Sequence, residues 1–160
     1  MTGTSNTAGT GDKPRRKKLP VDLTTARRML PLVQRIVTDI VHDAQELNRY
    51  TFEQEGLDRN KINLSWPERQ RRYTLQGEVA RLQSRLQEEE GELDTLGAVL
   101  FNPVMGRVGF PTVMYDRPAY YSWQLGEENL NFWHFDGEST RRPLPSNGQD
   151  SNSPLAIGQR

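Results

Sequence analysis

The chain has 160 residues, its 21 Lys and Arg balance 21 Asp and Glu, and 34% of it is hydrophobic; this fits one domain with tails and leaves too little apolar content for a second core. It has no cysteine, which excludes a disulfide framework and a thiolate metal site, so a metal would need His, Asp, Glu or carbonyl ligands. No run of about 18 apolar residues is present to span a bilayer, and the first residues do not read as a secretory signal, so a cytoplasmic protein is expected.

Charge is unevenly placed. Lys13, Arg15, Arg16, Lys17 and Lys18 stand against Asp12, so this stretch carries +4 and the remainder −4. A mildly acidic body is not a surface built to neutralise phosphates, and nucleic acid is a partner only through the basic cluster, which is not the favoured reading. Residues 1–18 and 146–160 are too polar to offset chain entropy and are predicted as disordered tails around a single domain over 19–145.

The first element is a long helix opening at Asp22, a residue type suited to an N-cap. Ala26, Leu30, Val33, Val37, Ile40, Ala44, Leu47 and Thr51 recur in steps of four and three, a heptad seam. Pro31 removes the amide bond to Arg27 and predicts a bend there. A second seam runs through Leu75, Val79, Leu82, Leu86, Glu89, Leu93 and Leu96. It starts with Ser65 and Glu68 at capping-box spacing, tolerates Pro67 in the first turn, and stops at Gly97. Gly77 and Gly91 inside it each cost about 1 kcal/mol against Ala, which packing must offset.

Charge order predicts how the two helices meet. The second begins with Arg69, Arg71 and Arg72 and ends with Glu88, Glu89, Glu90, Glu92 and Asp94, against the preference of its own dipole. The first begins with Arg27 and Arg28 and is acidic later, at Asp39, Asp43, Glu46, Glu53 and Glu55. Folded back antiparallel, over about 22–97, basic ends face acidic ends. Exposed pairs contribute about 0–1 kcal/mol each, so they select orientation more than they stabilise.

After Gly97 the period falls to two. Ala98–Phe101, Val108–Tyr115, Ala119–Leu125 and Leu130–Phe135 are rich in Val, Tyr, Phe and Trp and are separated by NPVMGR, DRP and GEEN, which predicts an antiparallel meander of three or four strands over about 98–136. The fold class is therefore α+β: a long antiparallel two-helix coiled-coil hairpin followed by a small antiparallel sheet. Large aromatics fall on both faces of that sheet. A hairpin covers one face only, so the other is expected to meet a second copy, a ligand or the chain's own tail.

Phe110-Pro111-Thr112, Tyr121-Ser122-Trp123, Gly126-Glu127, Phe132-Trp133-His134, then Arg141, Arg142 and Pro143 form a familiar series. It resembles a family of small bacterial and archaeal proteins known only as a domain of unknown function, with an FPT…SWxxGE…FWH signature behind a heptad-rich half. The resemblance covers roughly 22–143 and implies no activity. It also implies Cys in many relatives where this chain has Ser122, so a thiol chemistry does not carry over.

The residues with chemical potential cluster late in the chain. His134 and Asp136 fall on one side of a strand, Glu138 follows if the strand continues, and Glu127 stands in the preceding turn, a set able to bind a divalent ion or do acid-base work. The competing and favoured reading is a hydrogen-bonded His at a sheet edge followed by ordinary Asp-Gly turn chemistry. Arg141 and Arg142 are suited to clamp an anion near Tyr120 or Trp133, with Trp123 a further candidate binding residue, or to pair with Glu127, Glu128 or Glu138, and the pairing is favoured. His42, at helical spacing from Asp39 and Glu46, reads as a solvated face. The connection GLDRNKINLSWP carries Leu57, Ile62, Leu64 and Trp66 at a tip about 45 Å along the hairpin, where they need cover, either from the loop packing on itself or from an intermolecular contact. The residues name no substrate and no cofactor. They favour an interaction or structural protein that self-associates, most simply as a dimer, through the hairpin and the aromatic sheet face. The alternatives are a small-molecule or metal-dependent enzyme around His134 and a nucleic-acid-associated protein using the basic tail.

Overall fold

The computed structural model describes residues 18–145. The two tails, with Lys13, Arg15, Arg16 and Lys17, lie outside the described residues apart from Lys18. Leu23–Arg59 forms α1 and Trp66–Thr95 forms α2. Both begin at the caps the sequence marks. Asp22 accepts a bond from the Thr25 N–H at 2.6 Å, and this amide dipole holds its carboxyl below the ordinary range by favouring the ionised form. Glu68 accepts from the backbone N–H and the hydroxyl of Ser65, both at 2.7 Å. α1 continues through Pro31. α2 closes where Gly97, at φ +79, lets its own N–H reach the Asp94 carbonyl and the Ala98 N–H reach that of Leu93, the paired bonds of a left-handed helix stop.

The ion pairs between the helices fix their relative direction. Arg71 holds Glu53 through bonds of 2.6 and 2.8 Å, Arg72 pairs with Asp58, and Arg85 meets Asp43 at 3.0 Å. From the Arg71 and Arg72 pairs to the Arg85 pair the position rises by at least 13 residues on α2 and falls by at least 10 on α1, so the hairpin is antiparallel, with the basic start of α2 over the acidic end of α1. The base of the hairpin differs from expectation in its cation. Arg27 and Arg28 are exposed, and Asp94 is paired at 2.9 Å with Lys18, which the segment before α1 lays across the end of α2.

Burial follows the first seam through Ala26, Leu30, Val33, Val37, Ile40 and Ala44, with Ile36 and Val41 added. Those two widen the stripe because α1 is covered twice, by α2 on one side and by the sheet on the other. α2 is covered once and buries only Leu75, Leu82 and Leu93. Leu47 and Thr51 are half-buried, since the sheet does not reach that far along the hairpin.

The sheet has five antiparallel strands in sequence order, β1 Val99–Asn102, β2 Arg107–Met114, β3 Arg117–Gln124, β4 Phe132–Phe135 and β5 Arg142–Pro143. The fifth strand exceeds the expected three or four. Its two residues pair with Phe132 and Trp133 and bring the chain back over the sheet. Register sets Val108 opposite Trp123, Phe110 opposite Tyr121, and Tyr121 opposite Trp133. These side chains share the inner face and join α1 in one core. The β2–β3 turn is a tight hairpin with Tyr115 at φ 51 and Asp116 at φ 58, left-handed positions that usually take Asn or Gly. The β1–β2 turn is pressed onto α1 at Gly106. A Cβ there would come within 2.8–2.9 Å of Leu125, Val41 and Val37 side chains, and its φ of +67 favours glycine.

Candidate functional site

The polar residues singled out above gather around β4 and β5, with Ser122, His134 and Arg141 on the outer face and Arg142 on the side of Trp133, and most are bonded to one another. Arg141 reaches back over β3 and β4. Its two terminal nitrogens donate to the Glu127 carboxylate at 2.6 and 2.7 Å, Nε donates to the Ser122 hydroxyl at 3.0 Å, and Nη2 also donates to the Ser122 carbonyl at 3.1 Å. The guanidinium lies 4.4 Å over the Phe132 ring. Glu127 is held from the other side by the Gln124 N–H at 3.0 Å, and its backbone carbonyl accepts from the Trp123 indole at 3.0 Å. Burial on its own would raise the Glu127 pKa, but the Arg141 bonds and the Gln124 N–H outweigh it and leave the carboxyl below the ordinary range. This is a charge-assisted fork closing a turn. Arg142 pairs with Glu138 at 2.8 Å and lies 5.1 Å over Trp133. The two arginines thus engage the carboxylates offered as alternatives to an anion.

His134 is 4% exposed. Its Nδ1 lies 2.8 Å from the Phe135 carbonyl, and since a carbonyl only accepts, Nδ1 carries the proton. Its ring packs edge-on to Phe101 at 5.1 Å and beside Tyr120 at 5.6 Å. Phe101 in turn lies over Gly109, where a Cβ would come within 2.5 Å of the ring. Phe101 and the Arg141 segment, both part of the domain body, cover the patch of the outer face around His134 and Ser122, while Phe101 itself and Val113 stay exposed; the tail expected as one possible cover lies outside the described residues. Asp136 is exposed and anchored by its N–H to the Pro118 carbonyl. Among the described residues no group of three or more His, Cys, Asp or Glu side chains is arranged to hold a metal ion.

Asp136 instead lines a cleft of about 720 Å³ between the Lys18 segment, the end of α2 and the far half of β2 and β3, with Leu93, Asp94, Pro111 and Tyr120 among its walls. At the tip of the hairpin Leu64 is buried and Leu57 half-buried, while Ile62 and Trp66 are exposed. The connection packs partly on itself and leaves two of its four apolar residues outside.

One polar cluster was not anticipated as a site. Asp43 is fully buried between the helices, 3.0 Å from Arg85 and 3.1 Å from His42. Glu89, a seam position, lies beside it with Arg85 at 3.9 Å. One Glu89 oxygen is buried without a hydrogen-bond partner, and the buried Asp43 oxygen that Arg85 approaches at 3.0 Å is met as an ion pair without hydrogen-bond alignment. Burial first, then repulsion from Asp43, pushes the Glu89 carboxyl up to about 7. His42 therefore contacts Asp43 rather than Asp39 or Glu46. The signal in the sequence was a Glu at a seam position, where an apolar residue belongs.

A helical hairpin joined to a five-stranded antiparallel sheet, with Arg141 and Arg142 paired to carboxylates of the same chain, is the class these features define. The chain belongs to the family described as an uncharacterized conserved protein (DUF2203), whose model matches residues 21–144. No curated protein and no solved structure matches it. No helix of the described residues is long and apolar enough to cross a membrane.

Proposed function

We propose that the protein is an interaction or structural protein that self-associates, most simply as a two-fold dimer, through the half of the hairpin that the sheet leaves free. One observation carries this reading. Beyond Ala44 the hairpin buries only Leu64, Leu75 and Leu82, while Phe52, Ile62, Trp66 and Tyr73 are between 68% and 90% exposed. Two helices alone bury too little apolar surface to stand free in water, and large side chains held outward on a rigid rod favour a further layer of helices. The aromatic sheet face contributes the part that Arg141 leaves uncovered, where Phe101 and Val113 are exposed.

The enzyme reading around His134 has less behind it, since Glu127 and Glu138 are held by Arg141 and Arg142. The nucleic-acid reading rests on Lys13, Arg15, Arg16 and Lys17; of that cluster Lys18 is engaged by Asp94 and the Ala98 carbonyl. A cytoplasmic location belongs to the proposal and rests on the cysteine-free composition. Size-exclusion chromatography with light scattering tests self-association. A mass twice the 18.4 kDa of the chain at micromolar concentration is expected, and a folded monomer overturns the proposal.

A further inference from the structure

Self-association leaves open which surface the second copy takes. We infer, resting on the self-association proposed above, that it takes the outward face of α2, two such helices lying antiparallel about a two-fold axis between residues 78 and 79. On the side of α2 away from Leu75, Leu82 and Leu93, an uncharged residue recurs in steps of four and three. The first half of the helix presents Trp66, Gln70, Tyr73 and Gly77, and the second half Ala80, Ser84, Gln87 and Gly91, all exposed. The helix is otherwise crowded with Arg and Glu, so charge is excluded from one face over about 37 Å of its length. Such a pattern is what a helix pair needs at its contact.

Nothing within the chain accounts for the two glycines. A Cβ at Gly77 or Gly91 would meet no atom within 4 Å, and glycine weakens a helix interior. Close approach of a second helix supplies the missing reason.

Antiparallel pairing about that axis sets each large residue against a small one. Trp66 faces Gly91 of the second copy, Tyr73 faces Ser84, Gly77 faces Ala80, and Gln70 faces Gln87. A knob enters a hole made by four residues at positions i, i+3, i+4 and i+7. For Tyr73 that hole is Ala80, Gln83, Ser84 and Gln87, and these four line a groove on α2 together with Leu47, Leu86 and Glu90. Charge agrees with size. Arg69 and Glu90 flank the face at its two ends, and neither has an ion pair among the described residues. The antiparallel register brings Arg69 of each copy to Glu90 of the other. A parallel register would instead oppose Trp66 to Trp66 and leave Arg69 far from Glu90 of the other copy, too bulky at one end and without the charge pairing.

Because the chain contains no cysteine, single cysteines report the register without background. Gln70→Cys and Gln87→Cys proteins are purified separately, mixed, and oxidised, each also being oxidised alone. A disulfide-linked dimer in the mixture and in neither protein alone is expected. Gly77→Leu is expected to yield a monomer with unchanged helical circular dichroism, since the lone chain has room for the side chain. A wild type that is monomeric by light scattering overturns both the self-association and this interface. A wild-type dimer that shows no mixed cross-link, cross-links through Gln70→Cys alone, or survives Gly77→Leu overturns the interface and leaves self-association standing.

Discussion

Replacing Glu89 with Gln is expected to make the protein more stable above neutral pH and to leave it nearly unchanged in mild acid. The side chain is 15% exposed, with Arg85 at 3.9 Å from one oxygen and the other oxygen buried without a hydrogen-bond partner. The folded chain holds its proton to about pH 7, against an ordinary value of 4.5 for the unfolded chain. Between those values the folded state carries a proton that the unfolded state has released. Stability therefore falls as pH rises through that window and stays low above it. At about 1.4 kcal/mol for each tenfold change in proton affinity, the loss comes to about 3 kcal/mol, a large share of the roughly 5–15 kcal/mol typical of a domain. Gln keeps the shape without the titration. Urea denaturation followed by circular dichroism, on both proteins from pH 4.5 to 8.5, should show the variant gaining about 2–3 kcal/mol on the wild type across the range. Two profiles that run parallel would refute the assignment of the titrating group to Glu89.

Glu127→Ala and Arg141→Ala should each cost about 2–3 kcal/mol, and the double variant little more than either, because both dismantle the same fork; additive losses in a denaturation cycle would show that the pair is not coupled. Since the Glu127 carboxyl lies below its ordinary 4.5 in the folded chain, its contribution is complete above that pH and is lost below it, and Glu127→Gln should flatten the acid limb of a stability profile. Gly106→Ala forces a left-handed residue and three close contacts at once, and should lower stability by about 2–4 kcal/mol in thermal denaturation; an unchanged midpoint would mean the turn moves freely off α1. Asp116→Gly relieves a left-handed position in the β2–β3 turn and should add about 0.5–1 kcal/mol, with a loss counting against strain there.

The helical half was legible because its information is periodic or local. A seam in steps of four and three reports burial without knowledge of the partner, and Asp22, Ser65 with Glu68, and Gly97 act within four residues of themselves. Pairing of Arg141 and Arg142 with acidic residues could be weighed because few carboxylates lie near the end of the sheet. What was hidden depends on register between distant segments. Asp43 sits beside the seam, and its cation, Arg85, is 42 residues away, so only the relative slide of the two helices brings them together. β5 has two residues and one is proline, too short for any alternation to show. The cover over the outer sheet face comes from the long reach of Arg141 and from a ring, Phe101, that depends on the bare backbone of Gly109 opposite it.

β2 extends past its pairing with β1, and over that stretch the Val21 N–H donates to the Pro111 carbonyl. The strip of chain that feeds α1 thus doubles as a guard rail for an otherwise open strand. At the opposite border the proline of β5 does the same work by lacking a donor. Strand addition is hindered over that stretch of β2 and at β5, and the two guards differ in kind. One is permanent chemistry; the other lasts only while the hairpin stays seated, so partial detachment of the helices would expose a template for fibrous assembly before the sheet itself had melted.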